Sequence, residues 1–193
     1  MDIELLNWVF TTIHLGDFDW LTNIVKVLTY FGDSKVGIGY MVIALILIIP
    51  KKTRWLGLTV ALSIALDFLL VNITIKNLVA RPRPWLDAEA VFNHESLFGI
   101  LGAEVEPSEY SFPSGHTAVT FAISIALACR YKWKALPAII IACIVALSRI
   151  YLCVHYPSDV VAGIIVGSTC GVVAYFAIKA VEKRVKNKKA IIE

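Results

Sequence analysis

Charge is what this 193-residue chain has least of. Lys and Arg number 18 and Asp and Glu 15, so 17% of residues are charged against 58% hydrophobic, and mean hydropathy is +0.74. Soluble domains run near 25% charged and about 45–50% apolar. The scarcity of charge excludes a disordered chain, which needs low hydrophobicity, and argues against a nucleic-acid-binding domain, which needs a dense basic footprint. Cysteine is also sparse. Cys129, Cys143, Cys153 and Cys170 stand in or beside apolar runs, with no CxxC pair and no Cys/His cluster of metal-ligand spacing. A disulfide framework and a zinc site are therefore not expected, and the cysteines read as small buried hydrophobes. A cleavable leader is not expected either, since Asp2 and Glu4 stand where its basic region would be. No internal repeat or inverted duplication is visible, which counts against a repeat-built transporter.

What is present is a series of apolar runs. Val36–Pro50, Trp55–Ile75 (broken only by Asp67), Tyr110–Cys129, Ala135–Ser148 and Val160–Ile178 are each free or nearly free of charge. Each approaches the roughly 20 residues a bilayer span needs. Ile3–Phe31, interrupted by Asp17, Asp19 and Lys26, predicts a short interfacial helix plus a further span. The expected fold is all-α, a single polytopic membrane bundle of about six helices over residues 1–193. Cytoplasmic loops are enriched in Lys and Arg. Lys51-Lys52-Arg54, Arg130-Lys132-Lys134 and the basic tail within 182–193 all fall on one side, which is assigned to the cytoplasm. Gly163, Gly167 and Gly171 repeat every four residues and predict close packing against a neighbouring helix.

The opposite side collects Lys76, Arg81, Arg83, His116, Arg149, His155 and Asp159. Ionisable groups at membrane depth are costly and mark functional sites, and cations with two histidines suit an anion, most simply a phosphate. Pro113-Ser114-Gly115-His116 precedes an uncharged run. With Pro113 at the first helical position, the Ser114, Gly115 and His116 N–H groups would face an anion. Tyr156-Pro157-Ser158-Asp159 repeats the device, with His155 just before it. A carboxylate holding an imidazole fixes its tautomer, although helix capping alone would also account for the pair. Asp67 lies nine residues before Lys76, half a turn out of phase on an α-helix, and is expected to hydrogen-bond to another helix.

Lys76 with Arg83-Pro84, Pro113-Ser114-Gly115-His116, and Ser148-Arg149 with His155 and Asp159 together resemble the three signature motifs of the type-2 phosphatidic acid phosphatase superfamily. The resemblance implies a six-helix membrane plan and a metal-independent phosphatase with no cofactor. It further implies His155 as nucleophile, Asp159 holding its ring, and His116 as general acid and then base. Lys76, Arg83, Arg149, Ser114 and the Gly115 N–H would bind phosphate oxygens. The spacing from Lys76 selects Arg83, leaving Arg81 as an auxiliary contact or solvated.

Residues 84–112 hold Asp87, Glu89, Glu95, Glu104, Glu106 and Glu109 with Trp85, Phe92 and Phe98. Such a length suits a partial cover, its aromatics resting at the lipid interface. The expected partners are the bilayer and a lipid phosphate, foremost an isoprenyl diphosphate such as undecaprenyl diphosphate. Phosphatidylglycerol phosphate or phosphatidic acid is the rival. No nucleic acid is expected, and the letters assign no oligomeric state. A non-enzymatic anion transporter could use the same basic cluster but leaves the His155–Asp159 pair and His116 without a task.

Overall fold

The structure is a computed structural model that describes residues 2–14, 19–93, 95–97 and 110–192. Every regular element among them is helical. Helix α1 (Asp2–Val9) continues into a π turn (Phe10–His14), and α2 (Asp19–Thr29) is followed by α3 (Ser34–Ile48). Helix α4 (Arg54–Asp67) runs through an eight-residue π-helical stretch (Phe68–Ile75) into α5 (Lys76–Val79). Then come α6 (Gly115–Tyr131), α7 (Leu136–Tyr151) and α8 (Pro157–Ile192). By length and composition, Arg54–Leu86, Gly115–Tyr151 and Pro157–Lys188 can each cross a membrane. Trp20–Gly32 and Val36–Ile48 qualify together as a pair bent by 44°.

The Gly115–Tyr151 stretch is a hairpin. Lys132 takes φ 55° at its middle, and a Cβ on Gly32 would lie 2.8 Å from both His116 Cβ and Val145 Cγ1. On one straight helix those residues would be about 43 Å apart. Helix α2 runs antiparallel to α7, with Thr22 Oγ1 3.0 Å from the Tyr151 hydroxyl and Thr29 Oγ1 3.0 Å from Ser148 Oγ. Helix α3 continues the same way, Ala44 packing near Ile123 and Leu127. Residues 19–48 thus run along the bundle through a bend of 44° between Trp20–Gly32 and Val36–Ile48.

Helix α1, at the place of the expected short helix, lies across the loops. Ile3, Leu6, Val9 and Phe10 are buried in one cluster with Trp85, Phe92, Leu97, Leu152, Val154 and Tyr156. Trp85 and Phe92 therefore pack inward and do not rest in lipid. Phe98, Glu104, Glu106 and Glu109 lie outside the described residues.

The glycine ridge of α8 meets the backbone of α6. A Cβ on Gly163, Gly167 or Gly171 would stand 2.7, 2.1 or 2.5 Å from the carbonyl oxygens of Ser114, Ala118 and Ala122. Without water between membrane helices, contact of this closeness is what holds them together. The outer faces carry exposed Ile38, Val42, Ile46, Leu69, Ile73, Ile165 and Phe176, a surface for lipid. Of the cysteines, Cys153 and Cys170 are buried, Cys129 is intermediate and Cys143 is exposed on that apolar surface; all are free thiols. The uniform burial expected of them holds only in part.

Arg130 pairs with Glu182 at 3.3 Å, and Arg54 Nε donates to the Ile48 carbonyl at 3.1 Å, while Leu56 and Val60 pack near Leu127. The three basic clusters thus share one end of the bundle, and residues 76–84, 111–116 and 149–159 gather at the other.

Candidate active site at the end opposite the basic loops

Three chain segments deliver the site. The first is the exit from α5. Ala80 adopts φ 48° and its N–H bonds the Lys76 carbonyl at 2.9 Å, stopping the helix so that Arg81-Pro82-Arg83 leaves in extended form. Lys76 and Arg83 are both buried. Arg83 Nη1 lies 2.9 Å from the Val154 carbonyl and 2.9 Å from His155 Nε2. A guanidinium can only donate, so Nε2 carries the lone pair and Nδ1 the proton.

The second segment is the start of α8. Pro157 occupies its first position, as expected, and Asp159 reaches back to accept the Tyr156 N–H at 3.0 Å. Capping and the histidine contact coexist in this one carboxylate. Its Oδ2 lies 3.6 Å from His155 Nδ1 and accepts a short hydrogen bond from Ser111 Oγ, and Ser111 Oγ stands 3.4 Å from Nδ1. The Oδ1 atom accepts Arg81 Nη1 at 2.8 Å. Arg81, expected as an auxiliary phosphate contact or a solvated cation, is therefore a ligand of Asp159, further held by Ser158 Oγ at 2.7 Å and stacked 3.7 Å over the Tyr156 ring. Burial first, and then the charges of Arg83, Arg149 and Lys76, hold the His155 imidazole well below its usual range.

The third segment is the start of α6. Pro113 follows a cis bond from Phe112 and precedes the N-cap Ser114, so the helix proper begins at Gly115. The helix thus begins two positions later than the sequence suggested, with the proline just before the N-cap. The Ser114 N–H is taken by the Asp159 carbonyl at 3.1 Å, which docks one helix start on the other and leaves the Gly115 and His116 N–H groups as the donors of the open turn. A Cβ on Gly115 would sit at ordinary contact distance, 3.7 Å from Asn72 Oδ1 and 3.9 Å from Lys76 Nζ. Packing therefore does not require glycine there, and Lys76 Nζ and Asn72 Oδ1 both stand beside the first turn of α6. His116 lies within electrostatic reach of Arg149, His155, Arg83 and Lys76.

All the residues singled out from the sequence converge here except Asp67, buried deeper at 2% exposure. Among the described residues its Oδ1 finds no hydrogen-bond partner on another helix. Several supporting residues carried no signal. Thr29 accepts Arg149 Nη1 at 2.6 Å, Gly32 backs His116, and Ser111 bridges His155 and Asp159. Each is a common residue type outside any charged pattern, and only the packing of α2 and the entry to α6 reveals it. Among the described residues no group of three or more His, Cys, Asp or Glu is placed to hold a metal ion.

Buried cations and two imidazoles at one end of an apolar helix bundle define a membrane-embedded phosphate-handling protein. The profile of the PAP2 superfamily matches residues 52–183. The chain is 32% identical over 162 residues to the undecaprenyl-diphosphatase of Sulfolobus acidocaldarius, covering 83% of this chain and 72% of that protein. It is 37% identical over 153 residues to the decaprenylphosphoryl-5-phosphoribose phosphatase of Mycobacterium tuberculosis, covering 76% and 74%. Among solved structures, Aquifex aeolicus LpxE superposes with TM-score 0.67 at 26% identity, covering 90% of this chain and 93% of that one. A Bacillus subtilis PAP2-type phosphatidylglycerolphosphate phosphatase shares the fold with TM-score 0.68 at 23% identity, over 95% and 85%. The chain belongs to the PAP2 superfamily and is a membrane lipid phosphatase.

Proposed function

We propose that the chain, as one domain over residues 1–193, removes phosphate from an isoprenyl diphosphate of the undecaprenyl type on the extracytoplasmic face, through a phosphohistidine. The observation that carries this is the contact of Arg83 with His155 Nε2 at 2.9 Å, which puts a lone pair beside a phosphate-binding cation. Nε2 attacks the terminal phosphorus as its bond to the bridging oxygen breaks, and His116 gives that oxygen, which leaves with the lipid monophosphate, a proton. His116 then takes a proton from water, whose oxygen attacks the phosphohistidine and releases orthophosphate. Charge builds on three equatorial oxygens, where Lys76, Arg83, Arg149, Ser114 and the Gly115 N–H hold it, Arg83 exchanging its imidazole contact for an oxygen. Asp159 balances the positive charge on His155. Fixed cations supply the stabilisation that metal ions give in other phosphatases.

The substrate class rests on the prenyl-lipid names among the relatives and on a site at helix ends, where a headgroup arrives from the side. A phosphatidylglycerophosphatase B of Bacillus subtilis, 29% identical over 179 residues, favours phosphatidylglycerol phosphate as the second reading. Phosphate release from undecaprenyl diphosphate, phosphatidylglycerol phosphate and phosphatidic acid, measured side by side on purified protein in EDTA, decides between them. The diphosphate should give the highest kcat/KM, EDTA should leave it intact, and His155→Ala should reduce turnover at least about 10⁴-fold. Strict dependence on added divalent ion, or near-native activity of His155→Ala, overturns the mechanism. Phosphate flux through proteoliposomes without hydrolysis would instead identify a transporter.

A further inference from the structure

The stretch FLLVNITI between α4 and α5 is apolar but for Asn72 and Thr74, and it is π-helical. Its i→i+5 bonding makes a wider turn than an α-helix, so residues four and five apart share a face. Asp67, Asn72 and Lys76, spaced five and four, thereby come into one line, whereas α-helical phase would have turned Asp67 away. Thr74 settles its hydroxyl on its own helix, donating to the Leu69 carbonyl at 2.9 Å, and is exposed on the lipid side. Asn72 does neither. Its side chain is half-buried, directed at the start of α6 with Oδ1 3.7 Å from a Gly115 Cβ position that Lys76 Nζ approaches to 3.9 Å. It makes no hydrogen bond with any described residue; only its backbone carbonyl is used, by Asn77.

A carboxamide without a partner at membrane depth is costly, and this one stands beside a buried lysine and the first turn of α6, whose leading N–H groups are donors. We infer that Asn72 is a further phosphate-contacting residue, donating its amide to the same oxygen region as Lys76 and the Gly115 N–H. A half-turn of the carboxamide brings Nδ2 forward and breaks no bond, since the side chain makes none. The inference rests on the phosphatase reading above and adds to it a residue outside the three motifs. Being neutral, Asn72 contacts phosphate without adding to the repulsion among Lys76, Arg83 and Arg149.

The test is orthophosphate binding to the detergent-purified protein, with KM and kcat for a lipid phosphate measured alongside. Asn72→Ala should weaken orthophosphate binding and raise KM together, roughly tenfold or more, as loss of a hydrogen bond to a charged group does. Asn72→Asp should lose more than Asn72→Ala, because a carboxylate repels phosphate. Thr74→Val, one turn-face away, should stay at wild-type values. Wild-type phosphate affinity and KM in Asn72→Ala overturn the inference, as do equal losses in Asn72→Ala and Thr74→Val, which would mark mere packing. If the wild-type protein itself neither binds orthophosphate nor hydrolyses the lipid, the site reading fails first and takes this inference with it.

Discussion

Asp159 distributes two oxygens among the Arg81 guanidinium, the Tyr156 N–H, Ser111 Oγ and, at 3.6 Å, the His155 ring. Arg81 is the only cation among these contacts, so its removal leaves a buried carboxylate short of one charge-assisted bond. Arg81→Ala should lower kcat about tenfold or more with a smaller change in KM, because its guanidinium is committed to Asp159, the support of His155. An effect confined to KM would return Arg81 to the role of substrate contact. The depressed range of His155 gives a second prediction at this scale. The folded state prefers the neutral ring, so the stability it contributes is present above the unfolded value of about 6.5 and is lost as pH falls below it. Histidine ¹⁵N spectra of the substrate-free protein should show this ring still neutral at pH 6, with its proton on Nδ1. A ring already protonated there would contradict the assignment. His155, His116 and Asp159 were legible in the sequence because ionisable residues are rare in an apolar chain. Thr29, Ser111 and Asn72 were not, because small polar residues occur throughout such chains and only neighbours from other segments distinguish them.

At the scale of elements, the helix starts were readable from chemistry that acts locally. Pro157 opens α8 where a missing N–H costs nothing, and α6 begins within two positions of expectation, capped by Ser114. The phase of α4 into α5 was not readable. Phe68–Ile75 offers an α-helical pattern as good as any other, and the π register is visible only from its hydrogen bonds. The ridge of Gly163, Gly167 and Gly171 was legible as a packing face but not as to its partner, which proved to be α6 through the carbonyls of Ser114, Ala118 and Ala122. This ridge sets the distance between the His116 and His155 helix starts. A side chain at Gly167 would meet the Ala118 carbonyl oxygen at 2.1 Å. Gly167→Leu should therefore force α6 and α8 apart, lowering the thermal midpoint in detergent by several degrees or preventing folding, and abolishing turnover in any protein that does fold. Unchanged stability and activity would show that the ridge does not position the site.

At the scale of the whole molecule, the three basic clusters occupy one end and the candidate site the other, the basic end tied by Arg130–Glu182 at 3.3 Å and the apolar packing near Leu127. If that basic end is cytoplasmic, a membrane-impermeant thiol reagent on intact cells should label Glu89→Cys and should reach Lys188→Cys only after permeabilisation. The converse labelling would invert the orientation while leaving the fold untouched. The sequence by itself determined that the chain is a membrane helix bundle, which residues are too costly to bury without purpose, and where α6 and α8 begin. These follow from hydropathy and from backbone rules that act within a few residues. Tertiary structure decided that α2 and α3 meet at a bend and pack on α7 and α6, that α1 seals the loops beside the site, that Arg81 serves Asp159, and that Asn72 turns toward Gly115. Those outcomes depend on which distant segments meet, and hydropathy is the same for a helix whichever neighbour it finds.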